Sequence, residues 1–290
     1  MANPTGSTVV VTGAAGYIGR HVVAAVADLG FDVVAVVRPG RVADLDPRAR
    51  LLEADLLAPE FDVARLTGPD VAAVIHLAWQ DGFAHNATSH IENLPAHFRL
   101  LTEAARRGVP RIASLGTMHE VGYWEGAIRE DTPTSPTSLY GIAKDALRRS
   151  TTLVIGDSVE YVWLRCYYIL GDDRRNRSIF SKLLEAVDRG DREFPFTTGR
   201  NEYDFIDVVE LGRQIAVAAI TPGVTGVVNC GTGAPTTLAD RVEAFIRENE
   251  LPIALRYGAF PDRPYDSPGV WADATRIREL MATSPFATGR

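Results

Sequence analysis

The sequence of 290 residues contains little cysteine, no long apolar run and no excess of positive charge. Cys166 and Cys230 are its only cysteines, so a disulfide framework is excluded and we expect a reduced, cytoplasmic setting. No apolar run approaches the ~20 residues of a membrane span, and no charged-then-apolar leader opens the chain, so we expect no membrane partner. The net charge of −7 argues against nucleic acid as the main partner. It is compatible with a phosphorylated ligand held by a few local arginines.

The most informative stretch is a glycine-rich turn near the start of the chain. Residues 9–11 are β-branched and predict a buried strand, and apolar residues at helical spacing follow the turn. Between a strand and a helix, such glycines permit a tight turn, a close approach to a pyrophosphate and close helix packing. The stretch therefore predicts a dinucleotide site, and an ordinary strand–loop–helix turn is the alternative. The expected contacts are Gly13, Ala15, Gly16, Tyr17, Ile18 and Gly19.

Strand and helix patterns alternate up to Gly171, which predicts an α/β fold with a doubly wound parallel sheet, a Rossmann domain. We expect residues 1–171, with 204–230 returning to them, to form this domain. Residues 172–203 and 231–290 are expected to form a small C-terminal substrate lobe. Within the returning segment, the spacing predicts one helix from Phe205 to Ile220.

Ligands of such a sheet lie at the carboxyl ends of its strands. The cofactor contacts expected there are Arg38, Arg41, Asp55, Leu56, Leu77, Ala78, Tyr167 and Ile169. Arg38 occupies the position, 19 residues after Gly19, where NAD-specific folds usually carry an acid that binds ribose hydroxyls. An arginine can instead pair bidentately with the 2′-phosphate of NADP, unless it is only a solvated loop residue. The sequence therefore favours NADPH as cofactor, with NADH as second choice.

Tyr140 and Lys144 are four residues apart in a predicted helix, so they share one face. A lysine ammonium favours the phenolate and lowers the pKa of a tyrosine, and it can also hold the nicotinamide ribose. Thr117, at the end of the fifth predicted strand, offers a hydroxyl to the same carbonyl oxygen. These residues predict carbonyl reduction with Tyr140 as the proton donor. A surface tyrosine beside a solvated lysine is the alternative, and His76, within a strand, is expected to be packed and hydrogen-bonded.

Several motifs together resemble the extended short-chain dehydrogenase/reductase family: TGAAGYIG, ADL, HLA, the strand-end Thr117, YGIAK and YDFIDV. This family comprises sugar-nucleotide epimerases, dehydratases and ketoreductases. The resemblance implies a Rossmann domain, a small substrate lobe, and Thr117, Tyr140 and Lys144 as the catalytic set. It also implies a homodimer formed through the helices at 91–107 and 140–153. No metal is expected, and the expected substrate contacts are Trp79, Met118, His119, Ser178 and Arg263.

Departures from the family pattern narrow the expected activity. The 4,6-dehydratases place Asp-Glu directly after the strand-end Ser or Thr, whereas Met118 and His119 follow Thr117 here. The segment 118–128 most resembles ketoreductases of nucleotide-linked 4-keto-6-deoxyhexoses. We therefore expect an NADPH-dependent reductase of such a sugar nucleotide. The alternatives are a sugar-nucleotide 4-epimerase with tightly held NAD, a reductase of a non-nucleotide carbonyl, and a non-catalytic protein that senses dinucleotide.

Overall fold

The computed structural model describes residues 7–41, 44–171, 178–261 and 267–286. The strands in these residues are β1 (Thr8–Thr12), β2 (Asp32–Val37), β3 (Arg50–Glu53), β4 (Val71–His76), β5 (Arg111–Thr117), β6 (Gly126–Ile128), β7 (Glu160–Cys166), β8 (Tyr168–Leu170), β9 (Glu193–Pro195), β10 (Glu202–Asp207), β11 (Gly226–Cys230), β12 (Pro235–Thr237), β13 (Ala254–Arg256) and β14 (Gly269–Ala272). The helices are α1 (Gly19–Asp28), α2 (Ser89–Glu92), α3 (Leu94–Arg106), α4 (Leu139–Ile155), α5 (Ile179–Asp188), α6 (Val208–Ile220), α7 (Leu238–Glu248) and α8 (Thr275–Thr283). None of these helices has both the length and the apolar character required to traverse a bilayer.

Seven strands form a parallel sheet in the order β11-β7-β5-β4-β1-β2-β3. The chain runs from β1 outward to β3, returns to β4 beside β1, and then proceeds to the opposite edge. This is the doubly wound arrangement, and it confirms the predicted Rossmann fold. Thr12 at the end of β1 pairs with both Val36 and His76, so the carboxyl ends of three central strands lie together.

The parallel sheet is covered by helices on both faces. In β1, Val9 and Val11 pack in the core that contains α1 and α6, while Val10 packs in the core that contains α3 and α4. Burial on both faces explains why these strands read as continuous apolar runs. Each fully buried valine or leucine side chain contributes ~1.5–3 kcal/mol, so the paired cores hold the strand ends rigidly in place.

A second sheet has the order β12-β10-β14-β6, with β8 pairing β10. Strands β6 and β8 lie within residues 1–171, so the predicted domain boundaries do not coincide with the boundary between the two sheets. A third core joins α5 and α7 through Phe180 and Phe245, and the two-stranded ribbon of β9 and β13 lies beside it. This core falls within the predicted lobe, whose role in binding substrate stays a prediction.

The buried carboxylate of Asp204 joins the second sheet to the end of the first. It accepts the backbone N–H groups of Thr232 and Gly233 at 2.9 Å and of Ala272 at 3.0 Å. Those donors come from the segment after β11 and from β14. The Asp204 side chain therefore links its own strand, β10, to two segments that are distant from it in sequence.

The predicted helix from Phe205 was wrong in its first turn. Residues 205–207 belong to β10 and pair with β8, where the ring centroids of Phe205 and Tyr168 lie 5.8 Å apart. The Asp207 carboxylate accepts the N–H of Val209 at 2.8 Å and caps α6, which begins at Val208. Similarly, the helix predicted over 91–107 is divided into α2 and α3, and a proline lies in the first turn of α3.

Candidate active site

In the glycine-rich turn between β1 and α1, the three glycine positions leave little or no room for a side chain. Gly13 has a φ of +69°, and a Cβ built there would lie 2.7 Å from the backbone nitrogen of Ala78. A Cβ on Gly16 would lie 3.0 Å from the carbonyl oxygen of Gly13, and one on Gly19 would overlap that oxygen. The turn is a backbone cradle at the N-terminus of α1, which favours an anion. The residues present therefore fit the pyrophosphate of a dinucleotide.

Other predicted cofactor residues lie at the ends of neighbouring strands. Ala14 in the turn donates its N–H to Val36 of β2 at 3.2 Å, and Ala54 after β3 donates to Val37 at 2.9 Å. These bonds bring the residues that follow β2 and β3 to the edge where the glycine turn lies. Arg38, Arg41 and Asp55 are exposed there, Leu56 and Leu77 are buried, and Ala15, Ile18 and Ala78 are partly buried.

Three further residues predicted to contact the cofactor, Tyr17, Tyr167 and Ile169, make contacts in or near strand β8. The Tyr17 hydroxyl donates to the carbonyl oxygen of Gly171 at 2.7 Å, which ties the glycine turn to the end of β8. Tyr167 is buried and donates to Asn229 Oδ1 at 3.1 Å, and Ile169 of β8 pairs with β10. Contact of these residues with a dinucleotide stays a prediction.

Thr117, Tyr140 and Lys144 are brought together by β5 and α4. Thr117 ends β5, while α4 begins under the cap of Ser138, whose hydroxyl accepts the N–H of Gly141 at 3.2 Å. A hydrogen bond with Thr117 lowers the pKa of Tyr140, but burial is the larger effect and raises the pKa above its usual range. The expectation of a lowered pKa for the phenol beside Lys144 is therefore wrong for the protein alone, because burial outweighs the effects that favour the phenolate. The phenol is protonated at neutral pH.

Lys144 is buried, and its ammonium has two close neighbours. Its Nζ donates to the carbonyl oxygen of Leu115 at 2.7 Å and lies 3.8 Å from the ring centroid of Trp79. Burial lowers the pKa of Lys144 to about 7, although the nearby carboxylate of Glu120 acts in the opposite direction. The charge of Lys144 thus changes near neutral pH.

Among the histidines that surround these residues, sequence reasoning considered His76 and His119 but missed His85, His90 and His97. Five of the six histidines lie in this region, and the ring centroids of His85 and His90 are 5.5 and 5.2 Å from that of Tyr140. Four of them occur between residues 76 and 97, a local enrichment that could have drawn attention. His76 bonds to Thr12 at 2.8 Å and to His97 at 2.9 Å, so the expectation that it is packed and hydrogen-bonded is confirmed.

Three buried histidines, His76, His97 and His119, are uncharged at neutral pH. Burial lowers the pKa of His97 to about 3 and that of His119 to about 4, and it lowers the pKa of His76 well below its usual value. Uncharged imidazoles can both donate and accept hydrogen bonds. Within the described part of the chain, no group of three or more His, Cys, Asp or Glu side chains could hold a metal ion.

The predicted substrate residues are only partly gathered around Tyr140. The rings of Trp79 and His119 lie 6.2 and 6.0 Å from it, and Met118 is buried in the turn after Thr117. Ser178 caps α5, where its hydroxyl accepts the N–H of Ser181 at 3.3 Å. Arg263 lies outside the described residues.

A buried ion pair supports the turn that carries His119. Glu120 accepts the Nε–H of Arg165 at 2.5 Å and the indole N–H of Trp163 at 2.8 Å. Arg165 also donates to the carbonyl oxygen of Arg129 at 3.0 Å. Both charged groups are removed from solvent, so each depends on the other for its charge compensation.

Comparison with known proteins agrees with this geometry. The model of the NAD dependent epimerase/dehydratase family matches residues 9–231. A dTDP-6-deoxy-L-talose 4-dehydrogenase (NAD(+)) of Aggregatibacter actinomycetemcomitans is 40% identical over 91% of this chain and 98% of its own length. A dTDP-6-deoxy-L-talose 4-dehydrogenase (NAD(P)(+)) of Kitasatospora kifunensis is 26% identical over 97% of this chain and 92% of its own.

A solved structure, MoeE5 in complex with UDP-glucuronic acid and NAD, superposes with a TM-score of 0.77 and 26% identity. The superposition covers 96% of this chain and 93% of that one. The family model spans the glycine turn, the Thr117–Tyr140–Lys144 group and the parallel sheet except for its first residue, Thr8. The chain therefore belongs to the NAD dependent epimerase/dehydratase family and is an NAD(P)-dependent oxidoreductase.

Proposed function

We propose that this protein uses NADPH to reduce the 4-keto group of a nucleotide-linked 4-keto-6-deoxyhexose. The observation that carries the proposal is the close grouping of Thr117, Tyr140 and Lys144 at the sheet edge that also holds the glycine turn. The relative of 40% identity supports it, because a 4-dehydrogenase removes the hydrogen that a 4-ketoreductase adds. The two names describe one reaction in opposite directions.

The chain's own residues supply the proton and hold the reactants. A bound NADPH would supply the hydride to the carbonyl carbon. Tyr140 donates its phenolic proton to the carbonyl oxygen, and its raised pKa ensures that this proton is present at neutral pH. Thr117 donates a hydrogen bond to the same oxygen, and the Lys144 ammonium stabilises the phenolate that remains.

Replacement of the Tyr140 hydroxyl tests the mechanism. Tyr140→Phe keeps the ring but removes the proton donor, so kcat should fall by ~10²–10⁴ while KM changes much less. The assay follows loss of reduced-nicotinamide absorbance with a panel of nucleotide-linked 4-keto-6-deoxyhexoses. Tyr123→Phe removes an exposed phenol elsewhere and serves as the control. A Tyr140→Phe variant that keeps more than about a tenth of the wild-type rate contradicts the mechanism.

The same assay separates the rival activities. A 4-epimerase returns its hydride, so it would interconvert sugar nucleotides without net consumption of NADPH. A 4,6-dehydratase would form a 4-keto product from a nucleotide-linked glucose, for which Met118 and His119 lack the acid–base pair. Consumption of NADPH with the keto sugar alone supports the reductase, and either other outcome contradicts it.

The choice of NADPH rests on Arg38, which is exposed at the end of β2 beside the glycine turn. Arg38→Asp should weaken NADPH binding by roughly ten- to a hundredfold, since a charge-assisted pair contributes ~1.5–3 kcal/mol, and should affect NADH far less. Arg256→Asp makes the same charge reversal in β13 and should leave both affinities unchanged. Equal losses for NADPH and NADH in Arg38→Asp would refute the preference.

The proposal extends to a homodimer formed through α3 and α4. Three apolar side chains of α4, Ile142, Leu153 and Val154, are exposed, and Leu153 is 85% exposed. Leu153→Glu should shift the protein from dimer to monomer in analytical ultracentrifugation, whereas Tyr257→Glu, at another exposed apolar site, should not. A monomeric wild type would refute this part.

Residues 172–203 and 231–290, with Ser178 and Arg263, are proposed to hold the nucleotide.

A further inference from the structure

Trp79 occupies a position next to Lys144 that the proposed mechanism does not use. The Nζ of Lys144 lies 3.8 Å from the centroid of the indole ring, within the range of a cation–π interaction. Leu115 supplies one carbonyl acceptor at 2.7 Å, and an ammonium has three N–H donors. We propose that Trp79 is a positioning residue that holds the Lys144 ammonium against its ring face, and this deepens the role of Lys144 in the proposed function.

The indole ring is fixed at its polar edge by a histidine. Its N–H donates to His90 Nδ1 at 3.0 Å, and His90 Nε2 lies 3.0 Å from the carbonyl oxygen of Ala84. Since Nδ1 accepts, Nε2 carries the proton and donates to Ala84. The tautomer of His90 that carries its proton on Nε2 therefore satisfies both bonds, and the edge of the indole cannot rotate away without breaking the bond to Nδ1.

A chain of buried groups fixes the plane of the ring. The ring of His97 stacks on the indole, with centroids 4.5 Å apart and planes inclined by 14°. His97 bonds to His76 at 2.9 Å, and His76 bonds to Thr12 at 2.8 Å. The Thr12 hydroxyl also accepts the N–H of Ala78 at 3.3 Å. This series of contacts runs from Thr12, next to the glycine turn, to Trp79. Because the ring is fixed by these contacts, it holds a cation at little entropic cost.

The remaining groups near Lys144 do not replace the ring. Tyr140 comes from its own helix, Glu120 from the turn after β5, and Cys166 from β7; the carboxylate of Glu120 favours the ammonium. His76 of β4 and His97 of α3 are uncharged at neutral pH because burial lowers the pKa of each. The centroid of the Trp79 ring lies 3.8 Å from Nζ, whereas the centroid of the Tyr140 ring lies 5.9 Å from it.

The composition of the chain allows a direct test. Lys144 and Lys182 are its only lysines, so protein labelled with carbon-13 at lysine Cε gives two signals that titrate separately. Lys182 is exposed on α5 and serves as the internal reference. The titration is run on the wild type, Trp79→Leu, Trp79→Phe and the control Trp271→Leu, which removes a partly buried tryptophan of β14.

The variants should differ in how strongly Lys144 holds its proton. Loss of the ring in Trp79→Leu should lower the pKa of Lys144 by roughly half to one and a half pH units, about three- to thirtyfold in proton affinity. Trp79→Phe keeps a weaker ring and should give a smaller decrease, while Trp271→Leu should give none. A pKa equal to or above the wild-type value in Trp79→Leu overturns the proposal. If Trp79→Leu does not fold, the same criterion applies to Trp79→Phe.

Kinetics provide the second readout. The alkaline limb of the kcat/KM profile should move to lower pH by the same interval as the Lys144 titration in each Trp79 variant, whereas a purely structural defect lowers the rate at every pH. A uniform loss without movement of the limb overturns the positioning role. The titration needs no substrate, so its result does not depend on the proposed function. If the protein reduced no 4-keto sugar, the proposed function would be refuted, and the Lys144 signal would still decide whether Trp79 positions the ammonium.

Discussion

Removal of the buried carboxylate of Glu120 should destabilise the protein more than most single changes. Glu120→Ala leaves the guanidinium of Arg165 in the core with neutral oxygen acceptors but without its countercharge. Breaking a buried ion pair from one side costs about 3–5 kcal/mol. A domain typically has only ~5–15 kcal/mol of stability, so the loss is a large fraction of the total. The indole N–H of Trp163 also loses its acceptor.

Urea unfolding measures this loss. We expect a lower midpoint with an unchanged m value, and a Tm lower by roughly 5–8 °C for a chain of this length. Glu103→Ala removes a carboxylate from a partly exposed pair on α3 and is the matched control, with an expected loss below about 1 kcal/mol. A loss below 1 kcal/mol in Glu120→Ala would show that the interior tolerates the isolated Arg165 charge, and the reasoning would fail.

A double variant tests whether the cost arises from the uncompensated charge. Glu120→Leu with Arg165→Met removes both charges and keeps apolar volume, so it should be more stable than the sum of the two single losses predicts. The bonds to Trp163 and Arg129 remain broken, which limits the recovery. Additive losses would show that the two charges are energetically independent despite their 2.5 Å separation.

Three further changes test other parts of the structure. The pKa of Lys144 is about 7 in the folded protein and 10.5 in a free lysine, so between these pH values the unfolded chain binds one more proton and the stability of the wild type should rise with pH. Urea unfolding of Lys144→Met should lack this rise. Parallel pH profiles of stability for the two proteins would contradict the argument. Because the pKa values of His97 and His119 are lowered in the fold, the unfolded chain binds more protons than the folded protein below pH 6.5, and stability should fall towards pH 4. The fall should be less steep in His119→Asn than in the wild type, and equal slopes for the two proteins would contradict this. Gly19→Ala should weaken NADPH and NADH alike by at least about tenfold in fluorescence titration, because the added Cβ overlaps the carbonyl oxygen of Gly13 and overpacking costs ~1–3 kcal/mol. Gly68→Ala, where a Cβ meets no neighbour, is its control, and unchanged binding in Gly19→Ala would refute the cradle.

The fold was predictable because its signals are local. The glycine spacing, the apolar runs of strands buried on both faces, and the interval between Tyr140 and Lys144 are each confined to a few residues. The side chains around the site were less accessible to sequence reasoning. His85 reaches Tyr140 from the loop after β4 and His90 reaches it from α2, while Glu120 meets Arg165 across 45 positions of the chain. Such contacts follow from tertiary packing, which no short window contains.

Two errors of the sequence reasoning have the same physical cause. The pKa of Tyr140 was expected to fall because a lysine is near, but the extent of burial determines the sign and is not visible in a spacing pattern. Phe205 and Ile206 are apolar residues compatible with a helix, yet β8 offers them a partner strand and Asp207 caps the helix that follows. In both cases a distant element outweighed the local preference.

The Asp204 carboxylate and the pairing of β6 with β14 have a consequence for synthesis of the chain on the ribosome. Strand β6 is made early, but its neighbour in the register, Val270 to Gly126, emerges about half a chain length later. One N–H bound by Asp204, that of Ala272, arrives at the same late moment. A nascent chain that stalls before β14 therefore leaves one edge of β6 unpaired and the Asp204 carboxylate without the N–H of Ala272.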